Sequence, residues 1–309
     1  MSLECIRRPS SLGLLAALWL VFLSKPAQAC SVCGCDDPLV AVGDSSPNAG
    51  AVRLALSLSV VTASAQSDDD PTVTETLTRT ALIPTFVYSP LSRLNLVLSV
   101  PFLRNRYRAA GPDQQIAATL WGVGDAELSA RYFLWNDLDL AARRRQRVAI
   151  SVGSSLPTGR NDTTQAGERL DEHAQLGRGE LGPYVAVLYA FHQDPWNFTV
   201  DTTARTFTTN HYDYRYGSAA LWNVAMQFRV VERVALDAGI NGRYAERDRQ
   251  SGEAQENTGG FVLQAVPGAS LQLADELWLK ARVELPFVKR LFGVQTLGAT
   301  YLALVQWTP

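Results

Sequence analysis

Apolar and polar residues alternate one for one along most of this chain, and no other feature restricts its fold as tightly. In "VRLALSLSVV", Val52, Leu54, Leu56, Leu58 and Val60 share one face, while Arg53, Ala55, Ser57 and Ser59 share the other. "DAELSARYFL" sets Ala126, Leu128, Ala130, Tyr132 and Leu134 against Asp125, Glu127, Ser129 and Arg131. "LNLVLSVPF" and "LWLKARVELPF" repeat the pattern, the latter with Lys280, Arg282 and Glu284 on its polar face. A strand turns successive side chains to opposite faces, so such runs are strands rather than helices.

Twelve segments of this kind are predicted, centred near residues 57, 83, 98, 129, 151, 186, 201, 223, 239, 267, 282 and 301. The connections after even-numbered segments are mostly short ("SPLSR", "QDPWN", "VVER", "LADE"), with "NDLDLAARRRQR" a long exception. Those after odd-numbered segments are longer and polar, among them "RNRYRAAGPDQQ" and "GRNDTTQAGERLDEHAQLGRGE". An even strand count with alternately short and long turns is the pattern of an outer-membrane barrel, short turns periplasmic and long loops external. Segment length agrees, because a tilted membrane strand needs about 9 to 11 residues. The expected fold is all-β: a transmembrane, antiparallel, up-and-down β-barrel of about 12 strands, spanning residues 51–309. A soluble sandwich would turn the same apolar faces inward.

In a membrane barrel the apolar face meets lipid and the polar face lines the lumen. The candidate lumen residues are Arg53, Asp125, Glu127, Arg131, Asp201 and Arg205, followed by Arg229, Asp237, Arg243, Lys280, Arg282 and Glu284. Direction of travel puts Arg53, Arg131, Arg229, Lys280 and Arg282 in the periplasmic half, opposed there by Asp201 and Asp237. Rings of charge set pore selectivity, so a weak preference for anionic or polar solutes is expected. The competing expectation is that these charges pair across a narrow bore and close it. Trp135, Trp196, Phe228 and Trp307 fall near predicted periplasmic strand ends, as an interfacial girdle requires. "LGATYLALVQW" is expected to point Leu297, Ala299, Tyr301, Ala303, Val305 and Trp307 outward. A last strand closing on an aromatic resembles the signal read by the barrel-assembly machinery, although Thr308 and Pro309 follow it here.

The N-terminal region has a different character. Arg7 and Arg8, an apolar run over residues 12–23, and Ala27-Gln28-Ala29 form a secretory signal peptide over residues 1–29. Residues 30–50 then make a periplasmic tail that opens with Cys30, Cys33 and Cys35. Three readings compete for these thiols. They could bind a soft metal ion, Cu(I) or zinc; two could form a disulfide in the oxidising periplasm; or Cys30 could carry acyl chains, against which Ala27 stands where a lipobox has Leu.

Little points to catalysis. Three histidines are present, and His173 and His211 fall in expected external loops near Asp171, Glu172 and Asp213, where solvated side chains are the simpler reading. G-x-S-x-G, P-loop and H-E-x-x-H motifs are absent, so no enzyme activity is expected. With 28 basic and 30 acidic residues, no nucleic-acid partner is implied.

Three short motifs carry a family resemblance. "WGVGDAELSARYFLW" holds G-V-G-D at residues 122–125, "GSSLPTG" holds L-P-T-G at 156–159, and "GGFVLQAVPG" covers 259–268. With these the chain resembles the outer-membrane transporter family named for the meta pathway of phenol degradation. The resemblance implies a monomeric or loosely associated barrel in the outer membrane of a Gram-negative bacterium, carrying small, often hydrophobic compounds. The function expected is passive transport or binding of small solutes, with the bilayer as the surrounding partner. The alternative is a metal-binding or redox accessory protein in which the barrel anchors the cysteine tail. A third reading, adhesion, would rest on the loops, chiefly residues 160–180.

Overall fold

The computed structural model describes residues 48–307 apart from 69, 113, 114 and 166; the expected signal peptide and Cys30, Cys33 and Cys35 lie outside the described residues. Twelve antiparallel strands form one closed barrel. They are β1 (Val52–Gln66), β2 (Thr74–Leu91), β3 (Leu94–Ser99 with Phe102–Ala110) and β4 (Gln115–Val123 with Glu127–Asp139). Next come β5 (Arg144–Ser155), β6 (Gly182–Gln193), β7 (Trp196–Arg205) and β8 (Ala219–Val231). The last four are β9 (Val234–Ala245), β10 (Gly260–Ala265 with Gly268–Ala274), β11 (Leu277–Leu291) and β12 (Gln295–Trp307). β1 pairs with both β2 and β12, which closes the ring and leaves no sheet edge at that seam.

Leu54, Leu56 and Leu58 are exposed on the outside, while Ala55, Ser57 and Ser59 are buried inside. That arrangement is stable only where the outside is hydrocarbon, with the strand ladder around the ring supplying partners for main-chain groups that lipid cannot satisfy. Trp135, Trp196 and Trp307 are exposed at the periplasmic end, and Trp196 packs on Phe228 with ring centroids 4.5 Å apart.

Several elements differ from the sequence expectation. "NDLDLAARRRQR" is not a long connection, because β4 runs to Asp139 and β5 begins at Arg144. "RNRYRAAGPDQQ" is not a polar loop either: most of it is the outer half of β3, with Leu103, Asn105, Tyr107 and Ala109 turned inward. Its arginines hide the alternation, since they occupy the outward positions that hold apolar residues in the other strands. In β12 Leu297 is buried rather than outward, because a register shift opposite Val61 and Ala63 reverses the alternation before Thr300.

β3 and β10 are broken around Pro101 and Pro267, since proline cannot donate to the ladder. The residue before each proline still donates across the gap, the Val100 N–H to Pro84 O (3.2 Å) and the Val266 N–H to Gly239 O (2.8 Å), and the ladder resumes at Phe102 and Gly268. The wall is also uneven in height. β2 has 18 residues and β7 only 10, so one side of the barrel projects well beyond the other. The projecting stretch Gln115–Val123 pairs with β3 alone, because β4 meets β5 only from Glu127 downward. Behind this wall Ala81, Ile83, Leu103, Tyr107 and Leu120 pack inside the barrel against Leu170, Ala174 and Leu176 of the connection after β5.

Candidate functional site: a loop folded into the barrel

The connection from β5 to β6 is only partly in solvent: Thr164 and Gln165 pair with Glu168 and Arg169 in a largely exposed hairpin, while the returning residues Leu170, Ala174 and Leu176 pack inside the barrel. Its two stems enter the barrel at a junction built by the G-V-G-D and L-P-T-G motifs. Asp125 accepts hydrogen bonds from the Gly159 N–H (2.9 Å) and the Arg178 N–H (2.7 Å), one carboxylate oxygen for each stem. Thr158 Oγ1 donates to Gly124 O (3.0 Å) and accepts from the Ala126 N–H (2.7 Å). The stems touch through glycines: a Cβ on Gly177 would collide with the main chain of Gly159, and one on Gly159 with that of Gly177 and Gly124. Short motifs that are separate in sequence are one structural joint.

On the returning leg, a single 3-10 turn, Glu172–Ala174, presents its carbonyls to the β2–β3 wall. Asn105 Nδ2 donates to Ala174 O and Gln175 O, both at 2.9 Å. Arg79 Nη2 donates to His173 O (3.0 Å), and its Nε donates to Asn105 Oδ1 (2.9 Å). Buried Gln175 turns back on its own loop, donating to Thr163 O (3.1 Å) and Leu170 O (3.0 Å). A non-regular segment inside a barrel leaves main-chain groups that strands would have paired, and these side chains satisfy them.

The same turn ties neighbouring loops together. His173 Nε2 lies 3.0 Å from Asp248 Oδ2 and 3.1 Å from Tyr214 Oη, and the Tyr214 hydroxyl donates to Asp248 (2.8 Å). The Gly217 N–H donates to the other Asp248 oxygen (2.7 Å), and the Tyr216 hydroxyl donates to Glu172 O (3.1 Å). Burial disfavours the imidazolium, yet the hydrogen bond and charge of Asp248, aided by Asp171 and Glu172, hold the His173 pKa above its ordinary value. Burial likewise pushes Asp248 upward, but the bonds and charge it meets, chiefly from His173, hold it below the usual carboxylate range. Glu180, at the exit stem, is 2% exposed. Burial pushes its carboxyl up to about 9 despite Arg178 and the Tyr216 N–H. His173 is thus not the solvated loop residue expected from sequence: the loop that carries it folds inward.

Beneath the loop lies a cavity of about 120 Å³. Leu77, Ile83, Leu103 and Leu176 give it an apolar side, and Arg205, Glu127 and Arg243 a polar one. Arg205 Nη2 and Glu127 Oε2 form an ion pair at 2.6 Å. Asp125 borders the same cavity, with its carboxylate committed to the loop stems.

The remaining candidate residues lie lower in the barrel. Arg53 and Arg131 are buried, donating to Ser89 Oγ (3.3 Å) and Ser151 Oγ (3.2 Å). Asp237 accepts from Gln227 (2.8 Å) and Ser270 (2.6 Å), with Arg282 at 3.8 Å. Glu284 accepts from Asn241 (2.6 Å) and Gln264 (3.3 Å). Asp201 and Lys280 are half-buried. Arg229 is placed apart from these, exposed at the periplasmic rim and paired with Asp194 at 3.2 Å, because β8 there reaches the end of the ladder. Sequence reasoning missed Arg79, Asn105, Gln175 and buried Arg147. Arg147 ends the segment expected to be a long turn, and Asn105 lies in one expected to be a loop.

The profile of a family described as "Putative MetA-pathway of phenol degradation" matches residues 49–290. Among solved structures, an outer membrane channel from Pseudomonas putida F1 is similar at 15% identity and a TM-score of 0.63, covering 85% of this chain and 96% of that one. The translocator domain of the autotransporter NalP from Neisseria meningitidis gives 11% identity and a TM-score of 0.45, over 87% and 93% of the two chains. The CymD monoaromatic hydrocarbon channel gives 8% identity and a TM-score of 0.40, over 84% and 88%. No curated protein matches the chain.

Proposed function

This chain belongs to that family, and from its outer-membrane barrel we propose a passive channel for single small solutes, with the inserted loop as its constriction. The observation that carries this reading is the cavity between loop and wall. At about 120 Å³ it is close in size to an apolar cavity of about 150 Å³ that accommodates benzene. Its apolar side and its Arg205–Glu127 side together suit a single ring, or a short chain, bearing one hydroxyl or carboxyl group. A larger solute would have to displace the loop. The buried arginines on β1, β4 and β5 (Arg53, Arg131, Arg147) add a weak preference for anions, which clear cation selectivity in planar-bilayer reversal potentials would refute.

Liposome swelling tests the main reading. Vesicles holding the full-length protein are exposed to single-ring phenols, ring carboxylates, disaccharides and tetrasaccharides. Swelling is expected with the ring compounds and not with the oligosaccharides, and removal of residues 162–176 should admit the disaccharides. Swelling no faster than in protein-free vesicles for every solute, with and without the loop, would sink the proposal.

A further inference from the structure

The outer half of β3 carries Arg104, Arg106 and Arg108 at alternate positions, all exposed on the outside of the barrel. Successive guanidinium groups spring from Cα atoms about 7 Å apart, two residues of an extended strand. None of the three has an ion-pair or hydrogen-bond partner among the described residues. Their cross-strand neighbours on β2 are Thr80, Thr78 and Thr76, and on β4 Trp121, Thr119 and Ala117. No carboxylate of those flanking positions is available to neutralise them.

Their height on the wall matters. Along the same outer face of β3, Leu96, Leu98 and Phe102 are exposed and apolar, and the arginines begin immediately beyond Phe102. From Leu94 to Phe102 is about 27 Å of extended strand, which with the usual tilt spans most of an apolar band about 25 Å tall. The ladder therefore stands at the outer boundary of the hydrocarbon, at the end opposite Val52 and Trp307. Directly below Arg104 the outer surface is grooved: Leu82, Phe102, Trp121 and Val123 line a furrow of about 360 Å³. Trp121 is 82% exposed there, standing clear of the wall beside it.

We propose that Arg104, Arg106 and Arg108, with this furrow, form a docking site for a phosphorylated glycolipid of the outer leaflet. Its phosphates lie on the guanidinium ladder and one acyl chain lies in the Phe102–Trp121 furrow. Arginine suits phosphate because its planar fork donates two parallel hydrogen bonds to the anion. The furrow distinguishes a lipid from a free anion, since it adds apolar contact on the membrane side of the charges. The site is independent of the transport reading, because it lies on the opposite face of the wall from the lumen.

The test uses the full-length protein in non-ionic detergent, titrated with bisphosphorylated lipid A, with dephosphorylated lipid A and with inorganic phosphate, and bound lipid is counted by native mass spectrometry. The bisphosphorylated lipid should bind at least tenfold more tightly than the dephosphorylated form, and millimolar inorganic phosphate should not compete. Combined Arg104→Gln, Arg106→Gln and Arg108→Gln should abolish that preference, whereas Trp121→Ala should weaken both lipids alike. Equal binding of the two lipids to the unaltered protein would overturn the proposal without any variant. So would full competition by inorganic phosphate, or a preference that survives in a triple variant whose heat-modifiable mobility shows a folded barrel.

Discussion

Asn105 donates from one side chain to two main-chain carbonyls at the end of the inserted turn, those of Ala174 and Gln175. A buried carbonyl left unpaired costs about 1–3 kcal/mol, so Asn105→Ala should loosen the turn while leaving the strand ladder intact. Hydrogen exchange over residues 172–176 should rise, and single-channel conductance should increase several-fold. Unchanged exchange there would show that Asn105 does not hold the loop. Gly177 acts through shape rather than hydrogen bonding. Any side chain there pushes against the Gly159 main chain, so Gly177→Ala should part the stems and raise conductance without lowering the thermal unfolding midpoint of the barrel much.

At the level of the element, the inserted loop carries titratable groups that bias it in one direction. Glu180 titrates near 4.5 in a loop released to water and about 9 when seated. Its contribution to seating is full below about 4.5 and is lost as pH rises toward about 9. His173, whose pKa is also raised by seating, contributes fully below about 6.5 and loses that contribution as pH climbs through its raised value. Asp248, held low, works in the other sense but only in acid. Conductance measured from pH 7 to 9.5 should therefore increase, and Glu180→Gln should flatten much of that rise. A flat profile in the unaltered protein would contradict this account.

For the whole molecule, stability rests on the lipid-facing band. Leu58 pairs with Leu82 on one side and Ala303 on the other, well within that band and beside the seam. A lipid-facing arginine near mid-membrane costs about 2–4 kcal/mol, so Leu58→Arg should lower the folding free energy by that amount in urea refolding into vesicles. A change below about 0.5 kcal/mol would place Leu58 near the interface instead, where such substitutions cost little. The uneven wall is a property at this scale too. Long strands β1 to β3 rise behind the loop and supply Arg79 and Asn105, whereas the shorter β5 to β7 leave room for it to fold in.

Period-two alternation determined strand number, direction and face, because each strand reads out its own two environments locally. Leu54, Leu56 and Leu58 needed no partner to be assigned outward. The alternation failed where the environment changed along a strand: beyond Phe102 the outside is no longer hydrocarbon, so Arg104, Arg106 and Arg108 read as loop. The resemblance carried by G-V-G-D and L-P-T-G pointed to the family, but not to what the motifs do. Their meeting at Asp125 depends on two segments about 34 residues apart being brought together by the β4–β5 hairpin. The course of the loop after Gly159 was likewise invisible in sequence, since polar residues serve equally in water or in a buried hydrogen-bonded network. Only the tertiary structure decides between those, by supplying Arg79, Asn105 and Asp248 as partners where water would otherwise have been.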